Sequence, residues 1–288
     1  MTGIDLHTHS TRSDGTASPA QVVALAVAAG LDGIALTDHD TLDGWDEAAQ
    51  ACRKAGLRFV PGVELSTELG ERSVHLLGYF LDPGYEPLLA ECDRLRNERV
   101  RRAQAMVDKL VAMGVAITFA AVAARANGAP IGRPHIAAAM VAAGTVADID
   151  GAFDGFIEDG GPAYVPKHAL APHDGVSLIK AAGGVAVLAH PGLSTRDAPV
   201  DLELLDTLTA AGLAGVEADH VAHDEHAQTF WRSAAAARNL YVTGASDFHG
   251  TRKEARIGEA TTAGVVVDAL QALSAAAPVA TAQEEAPW

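Results

Sequence analysis

Short apolar runs recur along the chain, each bounded by turn residues and most followed by a segment with helical periodicity. Residues 3 to 6 and 33 to 37 read as strands. Between them Ser18-Pro19-Ala20-Gln21 is a capping box with proline at the first helical position, and Gly30 ends that helix. A second helix is predicted over 43 to 55, stopping at Gly56, and a third strand over 58 to 64. This β-α-β-α-β order calls for parallel strands joined by right-handed crossovers. The next strand, 74 to 80, starts too soon after Glu64 for a parallel crossover, which needs a dozen or more residues. Strands three and four are therefore expected to form a hairpin that sets His75 beside Glu64.

From 85 to 113 the pattern turns helical and charged. Shorter helices are expected over 118 to 126, 133 to 143 and 148 to 157, and no strand-like run interrupts residues 93 to 160. Alternation then resumes with helix 172 to 182, strand 185 to 189, helix 200 to 211, strand 214 to 218, helix 223 to 237 and strand 240 to 244. Residues 262 to 288 read as one last apolar strand or helix followed by an alanine-rich tail. Seven strands predict an α/β fold, a distorted seven-stranded TIM-like (β/α) barrel. Its first part would span 1–92 and its second 166–288, with a helical insert over 93–165.

Composition narrows this picture. The 288 residues suffice for a substantial core, and at 49% hydrophobic but only 5% aromatic the packing should rest on small side chains. No run of 18 or more apolar residues occurs, and the chain starts on a strand rather than a basic then apolar leader. A cytoplasmic protein with no membrane partner is expected. Cys52 and Cys92 read as reduced thiols in packed helices. The net charge of −16 argues against tracking along long duplex nucleic acid, where binding rests on neutralising phosphates. Residues 93 to 135, however, hold eight Lys and Arg against three acids, +5 against −21 for the remainder. A basic insert beside an acidic site suits a small or short phosphorylated substrate.

The candidate chemistry begins at His7 and His9, two apart at the end of a strand, so both imidazoles point to one side, with Asp14 close behind. Similar residues follow near the ends of later strands: Asp38-His39-Asp40, Glu64, His190-Pro191, Glu217 with Asp219 and His220, and Asp247 with His249. Singly, each reads as a cap, a turn or a surface acid. Jointly, ligand-type residues at one end of six strands point to a metal centre, and their number exceeds the needs of one ion, so two or three are expected. Imidazoles and carboxylates without thiolates select Mn²⁺, placed first here, or Fe²⁺ or Zn²⁺. Arg133-Pro134-His135, a turn opening into a helix, offers a guanidinium, an imidazole and free amides, a combination suited to an anion.

The chain resembles the PHP (polymerase and histidinol phosphatase) superfamily of metal-dependent phosphoesterases. The resemblance is carried by His7-Thr8-His9 with Asp14, Thr37-Asp38-His39-Asp40, Gly62-Val63-Glu64, His75, His190-Pro191 and Ser246-Asp247-Phe248-His249. Within it, Gly132-Arg133-Pro134-His135 and Ala163-Tyr164-Val165-Pro166-Lys167 are similar to the bacterial group acting on 3′,5′-nucleoside bisphosphates and 5′-phosphorylated ends of short RNA. The resemblance implies three ions: one on His7, His9, Glu64 and Asp247, a second on Glu64, His75 and His190, a third on Asp14, His39 and His249. It implies phosphate-ester hydrolysis by a metal-bridging hydroxide, with Arg133, His135 and Lys167 holding phosphate. His220, which would protonate the leaving oxygen, joins Asp247 and Arg133 as the catalytic set. The expected partner is a small phosphorylated nucleotide or short 5′-phosphorylated oligonucleotide. Ala218 and Asp219 stand where relatives often carry bulkier residues, which leaves base preference open. The alternatives are a histidinol phosphate phosphatase, disfavoured by the helical insert, and a non-catalytic PHP binding module, disfavoured because no ligand position is missing.

Overall fold

In a computed structural model the described residues are 3–70, 72–127, 131–166, 169–192 and 200–275. They form two compact units, Met1–Cys92 with Ala169–Trp288, and Asp93–His168. The first unit contains β1 (Ile4–Asp5), α1 (Pro19–Ala28), β2 (Gly33–Leu36), α2 (Trp45–Ala55), β3 (Arg58–Leu69) and β4 (Arg72–Tyr79). Helix α3 (Glu86–Ala112) leads into the second unit, which holds α4 (Phe119–Ala126), α5 (Arg133–Ala142) and α6 (Ile149–Ala152). The chain re-enters the first unit for α7 (Pro172–Ala181), β5 (Val185–Leu188), α8 (Leu202–Ala211), β6 (Gly215–His220), α9 (Glu225–Ala236), β7 (Tyr241–Ala245) and α10 (Gly264–Leu273).

Local signals explain most boundaries. The Ser18 hydroxyl accepts from the Gln21 amide while the Gln21 side chain accepts from the Ser18 amide, the reciprocal cap expected at α1. Gly56, at φ 68°, ends α2 in the left-handed region that side chains avoid. The helix expected over 148 to 157 divides instead into α6 and a π-helical turn at Phe153–Ile157. The strand expected to end at Glu64 runs on to Leu69, because the hairpin with β4 extends its ladder that far. The last element proves helical, α10, preceded by a single antiparallel bridge from Thr262 to Ile4.

All seven strands lie in one sheet in sequence order. β1, β2 and β3 are parallel, β4 is antiparallel to both its neighbours, and β5, β6 and β7 are parallel again. A bridge between Thr8 and Phe248 joins the first and last strands, so the sheet is nearly closed into a barrel. Alternation sorts its side chains. Ala35, Val60, Leu77 and Val187 share one core with Ile4, Leu6 and the α10 residues Val267 and Leu270. Ile34 and Leu36 point the other way and pack under Val22, Val23, Ala48 and Cys52 of α1 and α2. Cys52 and Cys92 are free and buried. No helix among the described residues is long and apolar enough to cross a membrane.

The helical unit has its own core, in which Met106, Leu110, Val122, Ile136, Met140 and Ile157 are buried. Thr118 caps α4 by accepting from the Ala121 amide.

Leu77, fully buried in the inner core, tests the barrel. Leu77→Ala is expected to cost about 2–5 kcal/mol of stability, read from the shift of a urea denaturation midpoint at constant slope.

Candidate metal centre

Glu64 is the hub of the site. It sits inside β3, only 1% exposed, and its two oxygens gather five imidazoles. Oε2 lies 3.1 Å from His7 Nε2, 3.0 Å from His9 Nε2 and 3.3 Å from His39 Nδ1. Oε1 lies 2.7 Å from His75 Nδ1 and 3.1 Å from His190 Nε2. The hairpin register sets Leu77 opposite Glu64 and His75 opposite Ser66, so His75 reaches Glu64 diagonally on one face. Asp247, after β7, approaches the same point, its Oδ1 3.5 Å from His7 Nε2 and 3.4 Å from His9 Nε2. Asp14 completes the far side, 3.3 Å from His249 Nε2 and 3.5 Å from His9 Nδ1.

Three overlapping groups could each hold a cation: His7, His9, Glu64 and Asp247; His9, Asp14, His39 and His249; and His39, Glu64 and His75. The first contains the four residues expected together. The second adds His9 to the expected trio. In the third, His39 stands where His190 was expected, and His190 meets the cluster through Glu64.

Several features fit cations better than a self-contained hydrogen-bond network. His7 Nε2 and His9 Nε2 face each other at 3.0 Å, where only one can carry a proton. The Nδ1 atoms of His39 and His75 are buried 3.3 and 2.7 Å from Glu64 yet without hydrogen-bond geometry to it. Two non-glycine residues of the set, His190 (φ 25°) and Asp247 (φ 53°), hold left-handed backbone, strain of the kind that surrounding structure maintains at functional positions.

Charges follow from burial and neighbours. Burial lowers His39 and His190, favouring neutral imidazoles, the form that ligates. Burial alone would raise the Glu64 carboxyl, but the surrounding imidazoles hold it well below its ordinary range, and Asp247 and Asp14 are depressed in the same way. Burial would also lower His9, yet hydrogen bonds to Asp247 and Glu64 prevail and lift it to about 9.

Other residues orient these ligands, and one of them, Asp5, has no role in the sequence reading. Glu217 of β6, fully buried, faces His7 Nδ1 at 3.1 Å and accepts the His190 amide at 2.8 Å. It fixes the His7 proton on Nδ1 and turns Nε2 toward the cluster, a support that ligating histidines usually require. Although burial pushes its carboxyl up, His7 draws it net down to about 2. Asp5 accepts from the Ser246 amide and hydroxyl and from the Gly258 amide, anchoring the turn that presents Asp247. Asp38 accepts from Ser10 and Ser13 and shapes the loop carrying Asp14. Glu217 stood among the ligand-type residues near strand ends, whereas the only sequence signal for Asp5 was an acid inside an apolar strand.

β6 carries a bulge at Ala218, between Glu217 and Asp219. It brings His220 onto the face of Glu217 despite their three-residue spacing, and turns Asp219 away to an ion pair with Arg232. His220 is 2% exposed; its Nδ1 accepts the Ala222 amide at 3.1 Å and its Nε2 lies 3.7 Å from Asp247 Oδ2 with no hydrogen-bond partner.

In the helical unit, Arg133 opens α5, stacks over Phe153 and Tyr164, and pairs with Asp159 at 2.6 Å. His135 accepts the Gly132 amide through Nδ1, an unforeseen capping role that leaves Nε2 uncommitted to the cap. Lys167 lies outside the described residues.

Comparisons with known proteins agree with this chemistry. Residues 5–116 match the family model of the PHP domain. The chain is 36% identical over 250 residues to a 3′,5′-nucleoside bisphosphate phosphatase from Chromobacterium violaceum, covering 86% of this chain and 88% of that one. It is 36% identical over 187 residues to a 5′-3′ exoribonuclease from Haemophilus influenzae, covering 65% and 68%. A solved structure of a candidate metal-dependent phosphoesterase from Bifidobacterium adolescentis superposes with a TM-score of 0.76 at 35% identity, over 94% of this chain and 96% of that one.

Two outcomes test the site. Glu217→Gln should weaken manganese binding about 10–100-fold, measured by competition with a chelating dye, with the fold retained by circular dichroism. In the metal-free protein, His9 is raised from 6.5 to about 9. Its contribution to stability is therefore full below about 6.5 and is lost as pH rises through about 9. The melting temperature of metal-free protein should fall across that window, and that of His9→Asn should fall less.

Proposed function

Since the chain belongs to the PHP family and is a phosphoric ester hydrolase of it, we propose that its substrate is a small nucleotide carrying more than one phosphate. A 3′,5′-nucleoside bisphosphate comes first, with the 5′-phosphorylated end of a short oligonucleotide as a second substrate and the cytoplasm as the place of action. The observation that carries this reading is the gathering of six imidazoles and three carboxylates, Asp14, Glu64 and Asp247, in one cluster, among them the buried Nδ1 atoms of His39 and His75 without hydrogen bonds. The bisphosphate follows from the Chromobacterium relative, aligned over most of both chains. The oligonucleotide follows from the Haemophilus relative.

Two or three divalent ions, Mn²⁺ first, with Fe²⁺ or Zn²⁺ as alternatives, would be held by His7, His9, Asp14, His39, Glu64, His75, His190, Asp247 and His249. When bound, they would neutralise phosphoryl charge and acidify water at the site. The protein's own groups do the rest. Glu217 holds His7 in one tautomer, and Asp5 and Asp38 hold the loops that carry Asp247 and Asp14. The Ala222 amide keeps His220 Nδ1 as an acceptor, which leaves the proton on Nε2. His220 thus offers a donor to charge developing on the leaving oxygen, a narrower role than delivery of a whole proton. In the helical unit, Arg133 and His135 form the proposed phosphate-binding pair, with Lys167 as a third member.

The first experiment is phosphate release from adenosine 3′,5′-bisphosphate by manganese-loaded protein, with AMP, histidinol phosphate and a 5′-phosphorylated dinucleotide in parallel. Turnover of the bisphosphate is expected to dominate and to vanish in Asp247→Asn; preference for histidinol phosphate would overturn the substrate reading. His220→Asn is expected to lower kcat about a hundredfold without changing the shape of the pH–rate profile. Loss of the alkaline limb would instead mark His220 as a full general acid.

A further inference from the structure

The barrel unit holds a cavity of about 630 Å³ beside Asp247, lined among others by His220, Ser246, Asp247, Lys253 and Arg256. No sequence motif pointed to Lys253 or Arg256, which lie beyond the short 3₁₀ turn Gly250–Arg252 that follows His249. We propose that this cavity is a second anion subsite, in which Lys253 binds a further phosphate of a substrate already seated at the histidine–carboxylate cluster. The proposal rests on the phosphoesterase reading above and extends it from the group that is cleaved to the group that selects.

Three observations carry it. The first is His220, whose Nε2 is buried in the wall of the cavity without a hydrogen-bond partner. A buried polar atom left this way is costly unless a ligand completes it, and as the donor proposed for the leaving oxygen it puts the bond to the rest of the substrate at the mouth of this cavity. The second is Lys253, whose ammonium donates one hydrogen bond to Asp247 Oδ2. An ammonium carries three donors and no acceptor, and with this side chain 46% exposed, the donors beyond Asp247 are open to an acceptor in the cavity. The third concerns the charges of the wall, where Lys253 and Arg256 stand with three acids, Asp247, Glu254 and Glu259. The Arg256 amide donates to Glu259 at 3.0 Å and its guanidinium lies 3.8 Å from the same carboxylate, so that acid is already engaged. Asp247, likewise, is engaged by Lys253. The remaining acid, Glu254, is exposed to solvent, and an ammonium with open donors faces the cavity beside His220; the ligand class this matches is an anion with several oxygens, a phosphate monoester or diester.

The position favours a group belonging to the same substrate. Asp247 presents Oδ1 to His7 and His9 and Oδ2 to Lys253, so one carboxylate separates the metal cluster from the cavity. A nucleotide with two phosphates can span that distance, while a simple monoester can occupy only one of the two places. Lys253 is thus a specificity-determining residue for the proposed reaction.

The test compares adenosine 3′,5′-bisphosphate with p-nitrophenyl phosphate, which lacks a second phosphate, on the manganese-loaded full chain. Lys253→Ala is expected to raise KM for the bisphosphate at least tenfold and to shrink the ratio of kcat/KM for bisphosphate over monoester by about the same factor. Lys253→Arg, which retains the donor and the charge, should recover most of that ratio. Equal losses on both substrates, accompanied by reduced bound manganese, would show that Lys253 serves only Asp247 and would overturn the subsite. An unchanged ratio with normal metal content would overturn it as well. Wild-type protein that turns over neither substrate would overturn the phosphoesterase reading, a result separable from the other two.

Discussion

One buried carboxylate sets the terms for the rest of this structure. Glu64 is almost without solvent and stands within 3.3 Å of nitrogen atoms from five histidines on four different segments of chain. Removing a charge from water is expensive unless it is paired, so the fold must supply enough positive or proton-sharing partners at that point. The barrel does this geometrically. Parallel strands deliver His7, His9, His39, His190 and Asp247 from their carboxyl ends, as barrels of this kind do. The single reversed strand, β4, delivers His75 from the opposite direction.

Much of this arrangement was legible in the sequence because it rests on short-range rules. The His7/His9 spacing fixes both rings on one side of a strand end, and the brevity of the segment after Glu64 forces a hairpin, which brings His75 to it. The pairing offset, with Leu77 rather than His75 opposite Glu64, was not readable, since register depends on how far the ladder continues to Leu69. Strand order and the helical character of residues 93 to 160 likewise followed from periodicity alone. The π turn after α6 and the exact extent of β6 did not, because both depend on packing rather than on local propensity.

The roles that escaped sequence reading share a physical reason. Glu217 and Asp5 are acids in apolar strands, and nothing in a linear pattern distinguishes a supporting carboxylate from a surface one; only the fold shows them fully buried and spent on His7 and Ser246. His220 was visible as a histidine near a strand end, but its orientation depends on the bulge at Ala218. The bulge also leaves the Ala218 carbonyl to His223 Nδ1, while His223 Nε2 accepts the Gly192 amide. A neutral imidazole thus braces the end of β6 against the loop beyond His190. Lys253 was invisible for a further reason: it follows an irregular turn, where sequence offers no period by which to aim a side chain.

The left-handed backbone at His190 and Asp247 and the crowding of imidazoles around Glu64 have a consequence outside catalysis. The strained backbone is held at one end of the barrel by the surrounding fold, and a cation that bound the folded chain and not the unfolded one would stabilise that end by mass action. Proteases in a cell sample the opened fraction of a protein continuously. A supply of divalent metal would therefore lengthen the survival of each copy of this chain, and metal starvation would cost the cell protein as well as activity.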